Sequence, residues 1–444
     1  MKEHRPFRFA DKDQLLDTAA RLNLSLPFEE DMTVLFEPVD IGGKRLFNRF
    51  TVLPMEGFDA DVDGSPGELT LRRYLRYAGG GSALIWFEAT SILQEGRSNP
   101  HQLLLNKKTL DGFKRLVETT RREALRVLGS GQNLFLVLQL THSGRYSKPD
   151  GRQRPLAAVK KPSLDKNLPP VRIVTDDELD RMLDTMTIAA SLARQADFDA
   201  VDIKACHGYL AHDLLSAFDR TNSRYGGDFD GRTRWIVEAV KRIRDREPRL
   251  GVTARLNVYD GLRPPEGWGT SAGDALVPDL EEPAELIRRL IDLGCGLMNI
   301  TAGIPYFNPH LGRPFDRPVS GGEKPPEHPL TGVGRLIGLC ERLQKTFPDI
   351  PFVGTGYSWL RRFFFLVAAG VIEGGGAALV GLGRSSFAYP DAPRDVMEKG
   401  TLDSKKMCTS CSRCTELMRA GGPTGCAVRD DYYRSRPLDP VDKK

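Results

Sequence analysis

The sequence predicts a (β/α)8 TIM barrel followed by a small C-terminal cysteine-rich iron–sulfur segment. Three observations point there. Eight short apolar or β-branched runs punctuate the chain, each followed by a helical pattern of roughly 12–20 residues. Unbroken apolar runs suit strands buried in a parallel sheet, and eight strand–helix units suit a closed barrel. Four of the seven cysteines crowd near the C-terminus at C-x2-C-x2-C-x11-C spacing, where the strand rhythm stops. The first run, FTVLPMEGFD, also lacks the Gly-rich turn that would open a doubly wound dinucleotide-binding sheet, the runner-up.

Residues 1–35 read as a polar N-terminal extension with one helix, started by Asp11 as N-cap and carried by Leu15, Leu16, Ala19 and Leu22. The barrel is expected over residues 36–395. Its strands are FTVLP (50–54), ALIWF (83–87), LFLVLQL (134–140), AVDI (200–203), GVTARL (251–256), LMNIT (297–301), PFVGT (351–355) and ALVGL (378–382). The helix before AVDI shows the pattern best. Thr175 and Glu178 form a T-x-x-E capping box, and Leu179, Met182, Leu183, Met186, Ala190 and Ala193 follow at helical spacing. Residues 396–444 lose the strand-like runs and are expected to form the appended iron–sulfur segment.

Composition narrows the function classes. With 444 residues, 40% hydrophobic, 27% charged and a mean hydropathy of −0.34, an intrinsically disordered chain is excluded. Sixty-three basic against fifty-nine acidic residues leave +4, which argues against a dedicated nucleic-acid binder. The longest nearly unbroken apolar run, 363–372, is half a membrane span, and MKEHRPFRFADKDQ has no apolar core of a signal peptide. The expectation is a cytoplasmic protein with no nucleic acid and no membrane as partner. An odd cysteine total argues against a disulfide framework, and the clustered four suit metal or cluster ligation.

In a barrel, chemistry sits just after each strand, at the C-terminal face. The seventh and eighth strands run into VGTGYS (353–358) and VGLGRSS (380–386). Glycines there let backbone N–H groups approach an anion, and Arg384 adds a fixed charge, as in a phosphate site; glycines that only make tight turns are the alternative. The third strand ends in Gln139 and then THSGR (141–145). The fifth carries Arg255 amid apolar neighbours, which is costly unless a salt bridge or an electron-rich ligand atom meets it. After the fourth comes Lys204-Ala205-Cys206-His207-Gly208-Tyr209, a cation, an imidazole and a phenolic acid in one place. Cys206 reads as a small packing residue.

The stretch HGYLAHDLLSAFDRTNSRYGGDFDGRTRW (207–235) resembles the signature of the old yellow enzyme family of flavin oxidoreductases. NRFTVLPM (48–55), FEATSI (87–92), LQLTHSGR (138–145), TARLN (253–257) and GLGRS (381–385) resemble family segments in the same order. Cys408, Cys411, Cys414 and Cys426 resemble the [4Fe–4S] site of the 2,4-dienoyl-CoA reductase and trimethylamine dehydrogenase branch. The resemblance implies an FMN-binding barrel. Pro54, Met55 and Ala89 would line the isoalloxazine ring, with Glu56 near it, and Gln139 would hydrogen-bond its pyrimidine edge. Arg255 would sit near N1 and O2, where positive charge stabilises the reduced anion. Gly356, Gly383 and Arg384 would hold the phosphate. Tyr209 matches the family's proton donor, while His207 and Lys204 match the pair that binds an activated carbonyl. The implied reaction is hydride transfer from FMN to an activated C=C bond, with the [4Fe–4S] cluster relaying electrons to FMN. An amine dehydrogenase or demethylase similar to trimethylamine dehydrogenase, and a non-catalytic flavin electron-transfer subunit, are the alternatives.

The sequence departs from the family pattern in places. Lys204 stands where the first His of the usual pair is found, and Glu56 where many relatives have Thr or Cys. A cation at 204 favours an acidic or CoA-like substrate. A carboxylate at 56 would disfavour reduced anionic flavin unless it points away. The segment AGIPYFNPHLGRPFDRPVSGG (302–322) is expected to fold over the active site, with Tyr306 and Phe307 lining the substrate pocket. Structural zinc is the alternative occupant for the four cysteines. Larger relatives continue past the cluster into FAD- and NAD(P)H-binding domains, whereas this sequence ends at Lys444. The expected electron source is therefore NAD(P)H acting directly on FMN, or a separate donor protein docking near the cluster. A homo-oligomer is left open.

Overall fold

The computed structural model describes residues 3–129 and 133–435; residues 436–444 of the expected iron–sulfur segment lie outside the described residues. Eight parallel strands close into a barrel: β1 (Phe50–Val52), β2 (Leu84–Ser91), β3 (Phe135–Thr141), β4 (Ala200–Ala205), β5 (Gly251–Tyr259), β6 (Met298–Ala302), β7 (Phe352–Gly354) and β8 (Leu379–Leu382). Each strand pairs with the next, and β8 returns to β1 through Val380–Phe50, Gly381–Thr51 and Leu382–Val52. The apolar runs found in the sequence are these strands. Every residue of β2, β3 and β4 is buried, because the barrel lumen covers one face and the helices cover the other.

The crossover helices are α1 (Glu68–Ala78), α2 (Leu110–Leu128), α3 (Asp176–Gln195), α4 (Phe229–Arg246), α5 (Glu281–Asp292), α6 (Pro329–Thr346), α7 (Phe364–Glu373) and α8 (Ala392–Lys399). In α2, Phe113, Leu116, Val117, Thr120 and Ala124 form the buried stripe, at three- and four-residue spacing. In α3 the predicted capping box is complete: Thr175 accepts from the Glu178 N–H, and Glu178 accepts from the Thr175 N–H.

The two ends of the barrel differ. A hairpin, Val39–Ile41 with Lys44–Leu46, packs Ile41 and Leu46 against Leu84, Trp86, Phe135 and Leu379, closing the N-terminal end. Ligand access is left to the C-terminal end, where the loops are long. The N-terminal extension also reaches that end. Asp11 caps the helix Lys12–Arg21, and further upstream Phe7 and Phe9 lie 5.4 and 5.9 Å from Trp359 in edge-on contacts. Asp316 ties these pieces together by accepting from the Phe7 N–H at 3.0 Å and the Trp359 indole at 2.6 Å.

The cysteine-bearing segment packs on the same end. Ser410 accepts from the Asp316 N–H at 3.0 Å, and Ser412 donates to the Arg317 carbonyl at 2.7 Å. Asp430 takes both guanidinium nitrogens of Arg72 at 2.9 Å and also meets Arg76, fixing the segment to α1. No helix among the described residues is long and apolar enough to cross a membrane.

Candidate active site

The strand ends frame a cavity of about 150 Å³, lined among others by Pro54, Met55, His207, Arg255, Gly356 and Arg384. Two guanidiniums define it. Arg255 is 9% exposed and Arg384 is 6% exposed, and neither has a carboxylate within ion-pair distance among the described residues. Arg384 spends one nitrogen on the Pro314 carbonyl at 2.5 Å, while its Nη1 is buried without a partner, as is Arg255 Nε. A buried, unpaired guanidinium is strongly unfavourable unless an anion or electron-rich group completes it. Gly356 turns with φ +96°, a conformation open to glycine, and brings the β7 loop against the same space. Two cationic poles joined by a cavity at the β7–β8 loops fit a molecule that is electron-rich at one end and a phosphate at the other. FMN is such a molecule.

The other residues assigned from the resemblance divide into two groups. Pro54, Met55, Gly356, Gly383, Arg255 and Arg384 line the cavity. Gln139 and Ala89 are not among the residues that line it. The Gln139 amide donates to Asp202 at 2.6 Å, and the Ala89 carbonyl accepts from Gln102 at 2.9 Å. Asp202 also accepts from the Trp86 indole at 2.8 Å and the Arg255 N–H at 2.6 Å. Burial pushes its carboxyl up to about 6 against those three donors and the Arg255 charge.

Beside the cavity the turn after β4 presents the polar groups. His207 and Gly208 take φ values of +66° and +76°, held by the Gly208 N–H donating to His212 Nδ1 at 2.8 Å. His212 meets Asp260 through its other ring nitrogen at 2.9 Å, so its Nε2 carries the proton. Burial, then Arg255 and Lys204, hold the His207 imidazole well below its usual range, making it a neutral group. Tyr209 points its hydroxyl at Glu56 Oε1, 3.1 Å away, and Lys204 Nζ reaches the same oxygen at 3.1 Å. Ser98 donates to the other oxygen of Glu56 at 2.9 Å. The Lys204 ammonium also stands 3.7 Å from the centre of the Tyr209 ring. Glu56 therefore points into the polar pocket.

The β6 loop covers this pocket. Tyr306 stacks on Tyr146 with ring centres 3.9 Å apart, and Tyr146 lies 6.5 Å from Tyr209. Phe307 is 41% exposed. Tyr146, Ser98 and Asp202 were not singled out in the sequence. Asp202 alone carried a signal, a carboxylate inside the apolar run AVDI.

The four clustered cysteines are free thiols that line one small pocket together with Arg384 and Phe387. The Ser410 N–H donates to Cys408 Sγ at 3.4 Å and the Arg429 N–H to Cys426 Sγ at 3.3 Å. Among the described residues no group of three or more His, Cys, Asp or Glu is placed to hold a metal ion. Arg384 thus borders both the cavity and the cysteine pocket. Cys206 is fully buried, as a packing residue should be.

A profile of the NADH:flavin oxidoreductase / NADH oxidase family matches residues 34–277, more than half of the chain. The chain belongs to that family. That family is one of flavin oxidoreductases. The NADH oxidase of Thermoanaerobacter brockii is 28% identical over 435 residues, covering 92% of this chain and 58% of that relative. The chain therefore spans less than two thirds of that protein. Among solved structures, 2-naphthoyl-CoA reductase in complex with 2-naphthoyl-CoA superposes at TM-score 0.74 with 20% identity, over 92% of this chain and 58% of that one. Histamine dehydrogenase from Rhizobium sp. 4-9 does so at 0.68 with 19% identity, over 89% and 52%. These two likenesses concern the flavin oxidoreductase fold.

Proposed function

We propose that this protein is an FMN-dependent ene-reductase acting on a small molecule with an activated C=C bond. One observation carries the reading: a phenol, a neutral imidazole and an ammonium, from the end of β4 and the turn after it, gather beside a cavity with two unpaired guanidiniums. Bound FMN would supply the hydride. Arg255 would meet its pyrimidine end and Arg384, with Gly356 and Gly383, its phosphate. His207 would donate to the substrate's carbonyl oxygen, where charge develops as the double bond is reduced. Tyr209 would protonate the α-carbon.

The four thiols around the pocket bordered by Arg384 support a [4Fe–4S] cluster beside the FMN phosphate end, relaying electrons inward from NAD(P)H chemistry or a donor protein. A cytoplasmic location goes with this reading. The 2-naphthoyl-CoA reductase likeness is in keeping with reduction of an activated, conjugated substrate.

Amine oxidation is the second reading, favoured by the Glu56 carboxylate beside the tyrosines Tyr146, Tyr209 and Tyr306. Against it, the Lys204 ammonium already stands on the Tyr209 ring and would repel a substrate cation.

Anaerobic mixing with NADH or NADPH, followed by enones, enoates and amines, separates the two. Bleached flavin that regains its colour with an enone supports ene reduction. Flavin bleached by an amine establishes the second reading instead.

A further inference from the structure

We propose that Glu56 is a proton relay between Lys204 and Tyr209, so that Lys204 serves as a proton store and not as a binder of the substrate's oxyanion. The proposal rests on the reading of Tyr209 as proton donor and adds how that donor is refilled.

The geometry is specific. Lys204 Nζ and the Tyr209 hydroxyl both donate to one oxygen of Glu56, each at 3.1 Å, while Ser98 holds the other oxygen at 2.9 Å. The three groups are nearly enclosed: the side chains of Lys204 and Glu56 are 4% and 11% exposed, and Tyr209 is 3% exposed. Water therefore reaches the phenol poorly, and a lost proton has to come through a neighbour. The other charged or titratable groups facing this cluster are Glu88 from β2, Tyr306 from the β6 loop, Cys206 and His207 after β4, and Arg255, which pairs with Lys204 across β4 and β5. Lys204 is the cation that bonds Glu56 directly.

Charge drives the direction. When Tyr209 gives its proton to the substrate carbon, its O–H bond breaks and a C–H bond forms. A phenolate then faces the Glu56 carboxylate, two anions sharing one ammonium, which is unfavourable in a closed site. A proton moving from Lys204 Nζ to Glu56 Oε1, and from there to the phenolate, restores the neutral phenol and leaves an uncharged amine. Lys204 then takes a proton from water. One solvent proton reaches the substrate, and no electrons move in these steps. Burial and the Glu56 charge hold the Tyr209 phenol well above its ordinary range, in keeping with a phenolate that is quickly reprotonated.

The test uses the FMN-loaded protein in steady-state reduction of 2-cyclohexenone, beside a single-turnover reoxidation that starts with Tyr209 protonated. Glu56→Gln and Lys204→Met should each slow steady-state turnover on the order of a hundredfold while the first reoxidation keeps its rate, and the double variant should be no slower than either single. Losses that multiply in the double variant, unchanged turnover, or an effect confined to the enone KM would overturn the relay. A second readout needs no turnover. Near-ultraviolet titration of the Tyr209 phenol, isolated by difference from Tyr209→Phe, should shift down by about one unit or more in Glu56→Gln. If the wild-type protein leaves enones untouched, the reading of the reaction falls, and this titration alone decides the coupling. An unshifted phenol overturns it.

Discussion

The Thr424 N–H donates to the Gly57 carbonyl at 2.6 Å, joining the segment that carries Cys426 to the residue beside Glu56. Gly57 in turn donates to Glu88 at 2.7 Å, which is bound to Arg73 and Asp59 through a buried charge network. The cysteine pocket and the polar pocket therefore share one short stretch of backbone, and disturbing one should be felt in the other.

The Arg72–Asp430 pair is the strongest tether of that segment, because its two parallel bonds end on a carboxylate only 2% exposed. Asp430→Asn should weaken docking by about 1–3 kcal/mol. Hydrogen exchange over residues 405–435 should rise while exchange in β2 and β3 stays slow.

The same tether gives a pH dependence. Burial would raise the Asp430 pKa, but Arg72 and Arg76 hold it below the usual carboxylate range. Its contribution to stability is thus complete above the unfolded value of about 3.9 and is lost as pH falls through the lower folded value. Docking of the cysteine segment should loosen on acidification below about pH 4, and Asp430→Asn should remove that part of the acid transition.

Arg384 is predicted to act in opposite senses on the empty and the filled protein. Arg384→Met removes a buried charge without an acidic partner, so the apoprotein should melt higher. The same change should weaken FMN binding by about 1.5–3 kcal/mol, roughly ten- to a hundredfold, read from flavin fluorescence on titration.

Iron should depend on the cysteines together. Cys411→Ser or Cys426→Ser should lower iron per chain and remove broad visible absorbance, while flavin bands persist. Zinc in place of iron in the wild-type protein would remove the proposed relay.

The barrel was legible in the sequence because strands buried on both faces write themselves as unbroken apolar runs, and FTVLP and ALVGL pair directly in the structure. Arg255 stood out as a charge inside such a run, and Arg384 as a charge in the Gly-rich loop that follows one. What stayed hidden depends on partners far apart in the chain. Asp202 is explained by Trp86, Gln139 and the Arg255 N–H, none of them near it in sequence. The direction of Glu56 was open until Lys204 and Tyr209, from the end of β4 and its turn, and Ser98, from the loop after β2, were seen around it.

Isotope placement tests the central claim most directly. A cyclic enone reduced in heavy water should gain deuterium at the carbon next to the carbonyl on one face only, the Tyr209 side. Deuterium on both faces of that carbon, or no reduced product from any enone or enoate, would contradict it.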